Sequence, residues 1–510
     1  MTQLTGAGNP VITFGVIVVF LAAMIAVLYA TNRRSTSFSD YAVGGRSYGP
    51  WYVAMSYTNS WWPGSTFTAF FALSVGGVLG FYGMVYATLG VTAMYLMAQR
   101  AWSWGRQFNL TTQPDLLGMR YNSPAVKRVA SIIGIISVFP WVVMGIQALA
   151  TLFQFASFGQ WTVTACLVVG VAVVLIRQYW TVSMGMRGLI MTDMFQGLIA
   201  YVVCAIVCVL LLFGNHASYS NLAQLPARML LIPGDARTGY GPWYMFSLIF
   251  TGVIGSMCWP MSFQRIYTAS SVRTVKKGTL LTMLLVGGFY CILMLFAAAA
   301  SRDPNVAANP QHGWFVALAD IGGPWLLALA IVIVLAASIG HVDGCVQVCG
   351  TQFANDLATW NAPRSDRQLM VLSKAGMVVF IVAAAVIAWL TFDYSRLQLL
   401  AQISYQGIIQ LAVPLFFGIF SRRGNKQGAL AGMLVGIAIA IVLTTLYPDD
   451  IRALGSLTSG IVGLAANFIV FVVFAFAIKP SAEETARLEL LFAKPVRATE
   501  HAAGAAAALR

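Results

Sequence analysis

Apolar runs of roughly 20 residues recur along almost the whole chain, and they constrain its fold more than any other feature. A helix rising about 1.5 Å per residue needs that length to cross a hydrocarbon core of about 30 Å. Thirteen runs are read at 11–30, 52–74, 76–97, 128–153, 160–176, 189–213, 242–263, 278–300, 324–357, 370–391, 396–420, 428–447 and 455–478, and are numbered spans 1 to 13. Composition agrees, since 59% of the 510 residues are hydrophobic and only 9% are charged. A soluble domain carries about 25% charge. A soluble enzyme, a disordered chain and a fibrous protein are excluded, and an all-α polytopic membrane protein is expected.

The net charge of +14 reflects topology. With the N-terminus outside, the loops after spans 1, 3, 5, 7, 9 and 11 and the C-terminal tail are cytoplasmic. Counting charges just inside helix ends, those segments hold 25 of the 30 Lys and Arg, leaving Arg228, Arg237, Arg302, Arg396 and Arg452 opposite. That split obeys the positive-inside rule. It points to a lipid bilayer, here a cell inner or plasma membrane, and not to nucleic acid. Span 1 is read as retained rather than cleaved, because a signal peptide carries positive charge before its apolar stretch and here the first basic residue, Arg33, follows it. All seven cysteines (Cys166, Cys204, Cys208, Cys258, Cys291, Cys345, Cys349) fall inside spans, so a disulfide framework is not expected.

The polar connections are short, and no GxxxxGK[ST] pattern occurs, so neither ATP-driven pumping nor another enzymatic activity is expected. No catalytic residue and no bound cofactor are assigned. The tail opens with Ser481-Ala-Glu-Glu484, a capping-box pattern that predicts one short surface helix. Two spans are interrupted: span 2 by Pro63-Gly64, and span 7 along Gly255-Ser-Met-Cys-Trp-Pro260. A proline removes a backbone hydrogen bond, and groups freed within lipid must find protein, ion or substrate partners. Two breaks, each opening a block of five helices, fit an inverted-repeat transporter with its site at the midplane. Simple proline kinks are the plainer alternative.

Of sixteen acidic residues, only Asp193 and Asp343 are placed well within spans, and His341 is the one histidine of four at that depth. No Lys or Arg is expected there. An ionised side chain at a helix centre costs about 2.5–3.5 kcal/mol on insertion scales, so such residues usually face a cavity or an ion path. The alternative is that neighbouring backbone or hydroxyls satisfy each one. His341, Cys345 and Cys349 share one helix face, but about 12 Å separates the first from the last. One metal ion cannot use all three, and no metal site is assigned. Trp61, Trp62 and Phe67 crowd the first break and Trp259 the second. They are candidates for the wall of a substrate cavity, or for interfacial anchors.

Several segments match a known pattern. Asp40-Tyr-Ala-Val-Gly-Gly-Arg46, Gln113-Pro-Asp-Leu-Leu-Gly-Met-Arg-Tyr121, Thr181-Val-Ser-Met-Gly-Met-Arg187 with Thr192-Asp-Met-Phe-Gln196, Gln264-Arg265 with Ala269-Ser-Ser271 and Lys276-Lys277, and Gln410 with Pro414, Gly418 and Asn425-Lys-Gln-Gly-Ala429 occur in order. Together they resemble the sodium:solute symporter family, whose members carry sugars, proline, pantothenate and monocarboxylates. The resemblance implies a leucine-transporter-like fold of about thirteen helices. Its parts would be an extra N-terminal helix and loop (1–49), a first inverted repeat (50–213), a connecting loop (214–241), a second inverted repeat (242–420), two further helices (421–478) and a tail (479–510). Substrate and cation would sit between the two broken helices and span 9.

One stretch departs from the family. Where span 9 usually carries adjacent hydroxyls that ligate sodium, this chain reads Leu335-Ala-Ala-Ser-Ile-Gly-His-Val-Asp-Gly344. Ala337 still offers a carbonyl and Ser338 a hydroxyl, but the hydroxyl pair has become Gly340-His341. An unperturbed imidazole titrates at about pH 6.5, so a proton carried by His341, with Asp343 or Asp193 assisting, is the favoured coupling. A sodium site displaced onto Ser338 and Asp343, and loss of coupling, are the competing views. The expected function is a cation-coupled symporter (H+ or Na+) that imports a small organic solute, a monocarboxylate or an amino acid. Candidate substrate contacts are Trp62, Ser65, Phe67, Thr68, Gln147, Met257, Cys258 and Trp259. A solute sensor with a transporter-like body is the second class, and a passive channel the third.

Overall fold

The computed structural model describes residues 8–31, 35, 37–214, 218–359, 363–392 and 397–493. Arg33, Arg396 and the tail beyond residue 493 lie outside them. Among the described residues the chain is helical throughout, with no strand beyond three isolated bridges. Twelve helices among the described residues are long and apolar enough to cross a membrane. Span 2, read from the sequence as a further crossing, is split into Pro50–Trp61 and Ala69–Gly76, each short of that length.

Local chemistry sets the ends of these helices. Asn9, Ser123, Thr162, Ser271 and Asn425 each accept a backbone N–H at a helix start, and Pro10 and Pro124 occupy first-turn positions that lack an intrahelical partner anyway. Span 5 turns sharply into span 6 at Gly185, whose φ of 62° suits glycine.

Both interruptions read from the sequence are real breaks. Trp62 and Pro63 are extended, and a short tight turn, Gly64–Phe67, leads into the second half of span 2. In span 7, Tyr244–Gly255 ends before an extended Trp259, and Pro260 starts the second half, Pro260–Thr268. Spans 2–6 and 7–11 thus form two five-helix blocks, each opened by a broken helix. Span 9 runs from Gly313 to Gln352, bent at Gly322-Gly323 ahead of Pro324. Spans 4, 7, 9 and 11 form most of the interior, while spans 1, 5, 10, 12 and 13 turn much of their surface outward. The helix Ala482–Phe492 is the surface helix expected after Ser481, whose side chain caps it. It docks on one end of the bundle, where Arg487 donates to the Met119 and Arg120 carbonyls and Trp104 Nε1 to the Leu491 carbonyl.

Candidate substrate and coupling site

The two breaks face each other across a narrow chamber. Its wall is largely aromatic: Trp61, Trp62 and Phe70 from span 2 beside Pro63, Tyr86 from span 3, Trp141 from span 4, Trp259 with Met261 from span 7, and Tyr405 from span 11. His341 of span 9 completes it. Three of these rings stand nearly at right angles to one another: Trp141 on Trp259 at 6.1 Å, Trp141 on Tyr405 at 6.0 Å, and Trp259 on Tyr405 at 5.2 Å. The four indole nitrogens here are buried; those of Trp61 and Trp259 are directed to the Tyr405 hydroxyl, while those of Trp62 and Trp141 have no acceptor among the described residues. A second cleft shares Phe70, Tyr86 and Tyr405 and continues through Leu73, Leu248 and Thr458 toward the end of the molecule opposite the tail helix. On the tail side the bundle is closed. Lys127 bridges Asp115 at 2.7 Å and Asp356 at 3.4 Å, and Gln113 Nε2 donates to the carbonyl of Met257 in the second break at 2.6 Å.

His341 is 1% exposed, and its Nδ1 lies 2.6 Å from the carbonyl of Ser60. A carbonyl can only accept, so Nδ1 carries the proton. That carbonyl is available because Pro63 ends the first half of span 2 and Gly64 does not return to bond it. Nε2 lies 3.5 Å from Cys345 Sγ. The two glycines of this stretch make room for span 2. A Cβ at Gly340 would overlap the Asn59 amide, and one at Gly344 would come within 2.7 Å of Ser60 Oγ. The space for side-chain hydroxyls is therefore filled by Asn59 and Ser60. Ser338 Oγ remains buried and unpartnered beside Gly64, and Ala337 is fully buried on the same helix.

The expectation that no Lys or Arg reaches this depth is overturned. Arg177 Nη2 pairs with Asp343 Oδ2 at 2.8 Å, and Gln178 donates to the other oxygen at 2.6 Å. Arg265 Nη2 stands 3.5 Å from Asp193 Oδ2, with Ser56 bridging the two at 2.9 and 2.5 Å. Asn59 donates to Asp193 Oδ1 at 2.8 Å, and Arg265 also donates to the Ser60 hydroxyl and, at 3.2 Å, to the Met261 carbonyl. Both arginines sit just past the apolar runs of spans 5 and 7, but the helices continue beyond them, to Met184 and Thr268. Neither acid touches His341 directly.

The candidate substrate residues divide. Trp62 and Trp259 line the chamber. Met257 and Cys258 lie in the second break, with Cys258 Sγ turned to the Ile254 carbonyl. Ser65 and Thr68 belong to the turn after the first break, where Ser65 Oγ is unpartnered and Thr68 bonds the Ser65 carbonyl. Two do not line the chamber. Phe67 packs on Phe289 and Trp314, and Gln147 donates to the Thr391 carbonyl at the end of span 10. Phe70, Tyr86, Trp141, Met261 and Tyr405 were not anticipated. They come from separate helices, and only their aromatic or sulfur character, common in this chain, could have signalled them.

Residues 41–436 match the sequence profile of the sodium:solute symporter family. The chain belongs to that family. Among its relatives, a monocarboxylate transport permease of Rhizobium johnstonii is 22% identical, covering 92% of this chain and 97% of its own. The high-affinity proline transporter PutP of Bacillus subtilis is 24% identical over 90% and 97%. Among solved structures, a Na+-coupled sialic acid symporter in a substrate-bound outward-open state superposes with a TM-score of 0.73 at 18% identity, covering 92% of this chain and 98% of that one. The fold is thus the leucine-transporter-like arrangement of sodium:solute symporters, and the protein is an integral membrane transporter.

Proposed function

We propose that this symporter imports a small organic solute, a monocarboxylate or an amino acid, by alternating access, with a proton as the coupling ion. The observation that carries the coupling is His341 Nδ1 on the Ser60 carbonyl. A carbonyl freed at a helix break is a cation ligand, and here a titratable imidazole tethered to span 9 takes it. The Asn59 amide and the Ser60 hydroxyl fill the rest of the space a hydroxyl pair would need. Protonation of the ring places a positive charge where the broken helix offers a carbonyl dipole. Asp193 and Asp343 act through Arg265 and Arg177 to hold spans 2, 5, 6, 7 and 9 in register around it.

The basic side, with the tail helix, is taken as cytoplasmic, so the cleft past Tyr405 and Thr458 faces outward and the Lys127 bridge closes the inner side. The repeats 50–213 and 242–420 would rock about the chamber. One observation favours a second reading: Ser338 Oγ, buried and unpartnered beside Gly64, is a possible ligand of a rearranged sodium site with the Ala337 carbonyl.

Uptake into proteoliposomes with separately imposed gradients decides between them. An inward proton gradient in sodium-free buffer should concentrate solute, and His341→Ala should abolish concentration while leaving solute exchange. A sodium gradient that drives accumulation at fixed pH overturns the proton reading and supports Ser338.

A further inference from the structure

The chamber has more donors than acceptors. The indole N–H groups of Trp62 and Trp141 are buried without an acceptor among the described residues, whereas those of Trp61 and Trp259 share the Tyr405 hydroxyl, and an indole nitrogen can only donate. The two unpartnered rings are nearly inaccessible, Trp62 at 1% and Trp141 at 5% exposure. Buried donors left unmade are costly, and native interiors rarely tolerate several together. The missing partner is an acceptor.

His341 stands among these donors, and the described residues give it no counter-charge. Its ionisable neighbours are engaged elsewhere or neutral. Cys345 on its own helix meets Nε2. On span 7, Arg265 reaches Ser60, the residue whose carbonyl the ring holds, and on span 6 Asp193 reaches the adjacent Asn59, but these two charges pair with each other. Asp343 is turned to Arg177 of span 5. Span 4 presents Trp141, and spans 3 and 11 present the phenols of Tyr86 and Tyr405. Among the described residues no carboxylate faces the imidazole, and a buried cation needs one.

We propose that the substrate supplies it: the chamber, which holds about 10 Å³ here and widens as the repeats move, takes a small monocarboxylate with an apolar body, whose carboxylate accepts from protonated His341 and from the Trp62 and Trp141 N–H groups, so that proton and anion are carried together as a neutral pair. The proposal rests on the proton reading above and narrows it. One group is then both proton carrier and substrate ligand, and each is retained only in the presence of the other. No bond is made or broken except that of the proton to Nε2. An anion moving with one proton carries no net charge, so transport is electroneutral.

The purified full chain in proteoliposomes tests this with labelled pyruvate, lactate, propionate and benzoate, and with proline as the zwitterion, each corrected for protein-free leak. With an inward proton gradient, no sodium, and the membrane potential set by potassium and valinomycin, at least one monocarboxylate should accumulate at least tenfold. Its initial rate should change less than twofold between 0 and −120 mV, and proline should not accumulate. Trp62→Phe keeps an aromatic ring and removes one unpartnered donor, and should raise KM about tenfold with the proton-to-solute ratio unchanged. His341→Gln should exchange the same anion with a KM that no longer depends on pH. Proton-driven uptake that grows with inside-negative potential, or that selects proline over all four anions, overturns the neutral pair while leaving proton coupling intact. Uptake driven by sodium alone overturns both, and failure of all four anions to accumulate overturns the proposal.

Discussion

Two neighbourhoods on the broken spans 2 and 7 sit within a turn of each other and follow opposite rules. Asn59 and Ser60 belong to a lattice in which each deep acid has an arginine and at least one further donor. Trp61 and Trp62, the next two residues, face a chamber in which the Trp62 and Trp141 N–H groups lack a partner among the described residues. Burial is the same in both, so depth in the membrane does not separate a brace from a binding site. Pairing does. A lattice whose charges are matched from within holds helices in place, whereas a cluster of one-sided donors awaits something from outside.

The largest effect should come from unbalancing the lattice. Asp343→Asn leaves Arg177 charged in a site where both side chains are 3% exposed or less. Removing one partner of a buried ion pair costs about 3–5 kcal/mol, so unfolding in detergent, followed by heat or denaturant, should shift to match. The double replacement Arg177→Met with Asp343→Leu removes both charges and should recover most of that loss, because paired apolar replacements are often neutral. If Asp343→Asn instead keeps its stability and loses only transport, the acid belongs with the chamber and the contrast fails.

This lattice also marks where the sequence stopped being readable. The breaks were legible because proline has no N–H, and Pro63 and Pro260 announce interrupted helices whatever surrounds them. Asp193, Asp343 and His341 stood out by depth. Arg177 and Arg265 did not, since an apolar run ends by definition at the first charge, while the helix carrying it continues for two turns or for three residues. The chamber was half legible. Trp62 and Trp259 adjoin the breaks, but Tyr86, Trp141 and Tyr405 arrive from three unbroken helices, and a chain that is 13% aromatic gives them no distinguishing mark. Phe67 sits away from the chamber because the tight turn Gly64–Phe67 rotates the residues after Pro63 out of a regular helical register. Gln147 does so because the end of span 10 offers its amide the Thr391 carbonyl, a pairing between distant segments that spacing along span 4 does not reveal.

A middling effect sharpens the boundary between the two neighbourhoods. Gly340→Ser restores a hydroxyl of the kind the family usually carries, but its Cβ meets the Asn59 amide. Overpacking of this sort costs about 1–3 kcal/mol. Combined with Asn59→Ala the clash is relieved, and residues in contact should couple measurably in a double-mutant cycle of unfolding. Should the pair also acquire sodium-stimulated uptake, the glycine is what excludes the ion. If Gly340→Ser alone is neutral, span 2 is not packed on span 9 here, and the lattice is looser than its distances imply.

The smallest effect is expected at the surface, and it isolates the interior by contrast. In the connecting loop, Arg237 donates to both oxygens of Asp235 at 2.9 and 2.6 Å, and holds its carboxyl down to about 2, below the usual 3.8. A depressed carboxyl adds stability above its unfolded value and loses it as pH falls through the folded one. Between pH 5 and pH 8 Asp235 therefore stays ionised with or without its partner. Salt and water screen so exposed a pair, so Arg237→Ala should leave both unfolding and the pH profile of uptake unchanged across that range. A profile that moved with Arg237→Ala would place a pH-sensing group in the loop, and the dependence assigned to His341 would have to be shared with it.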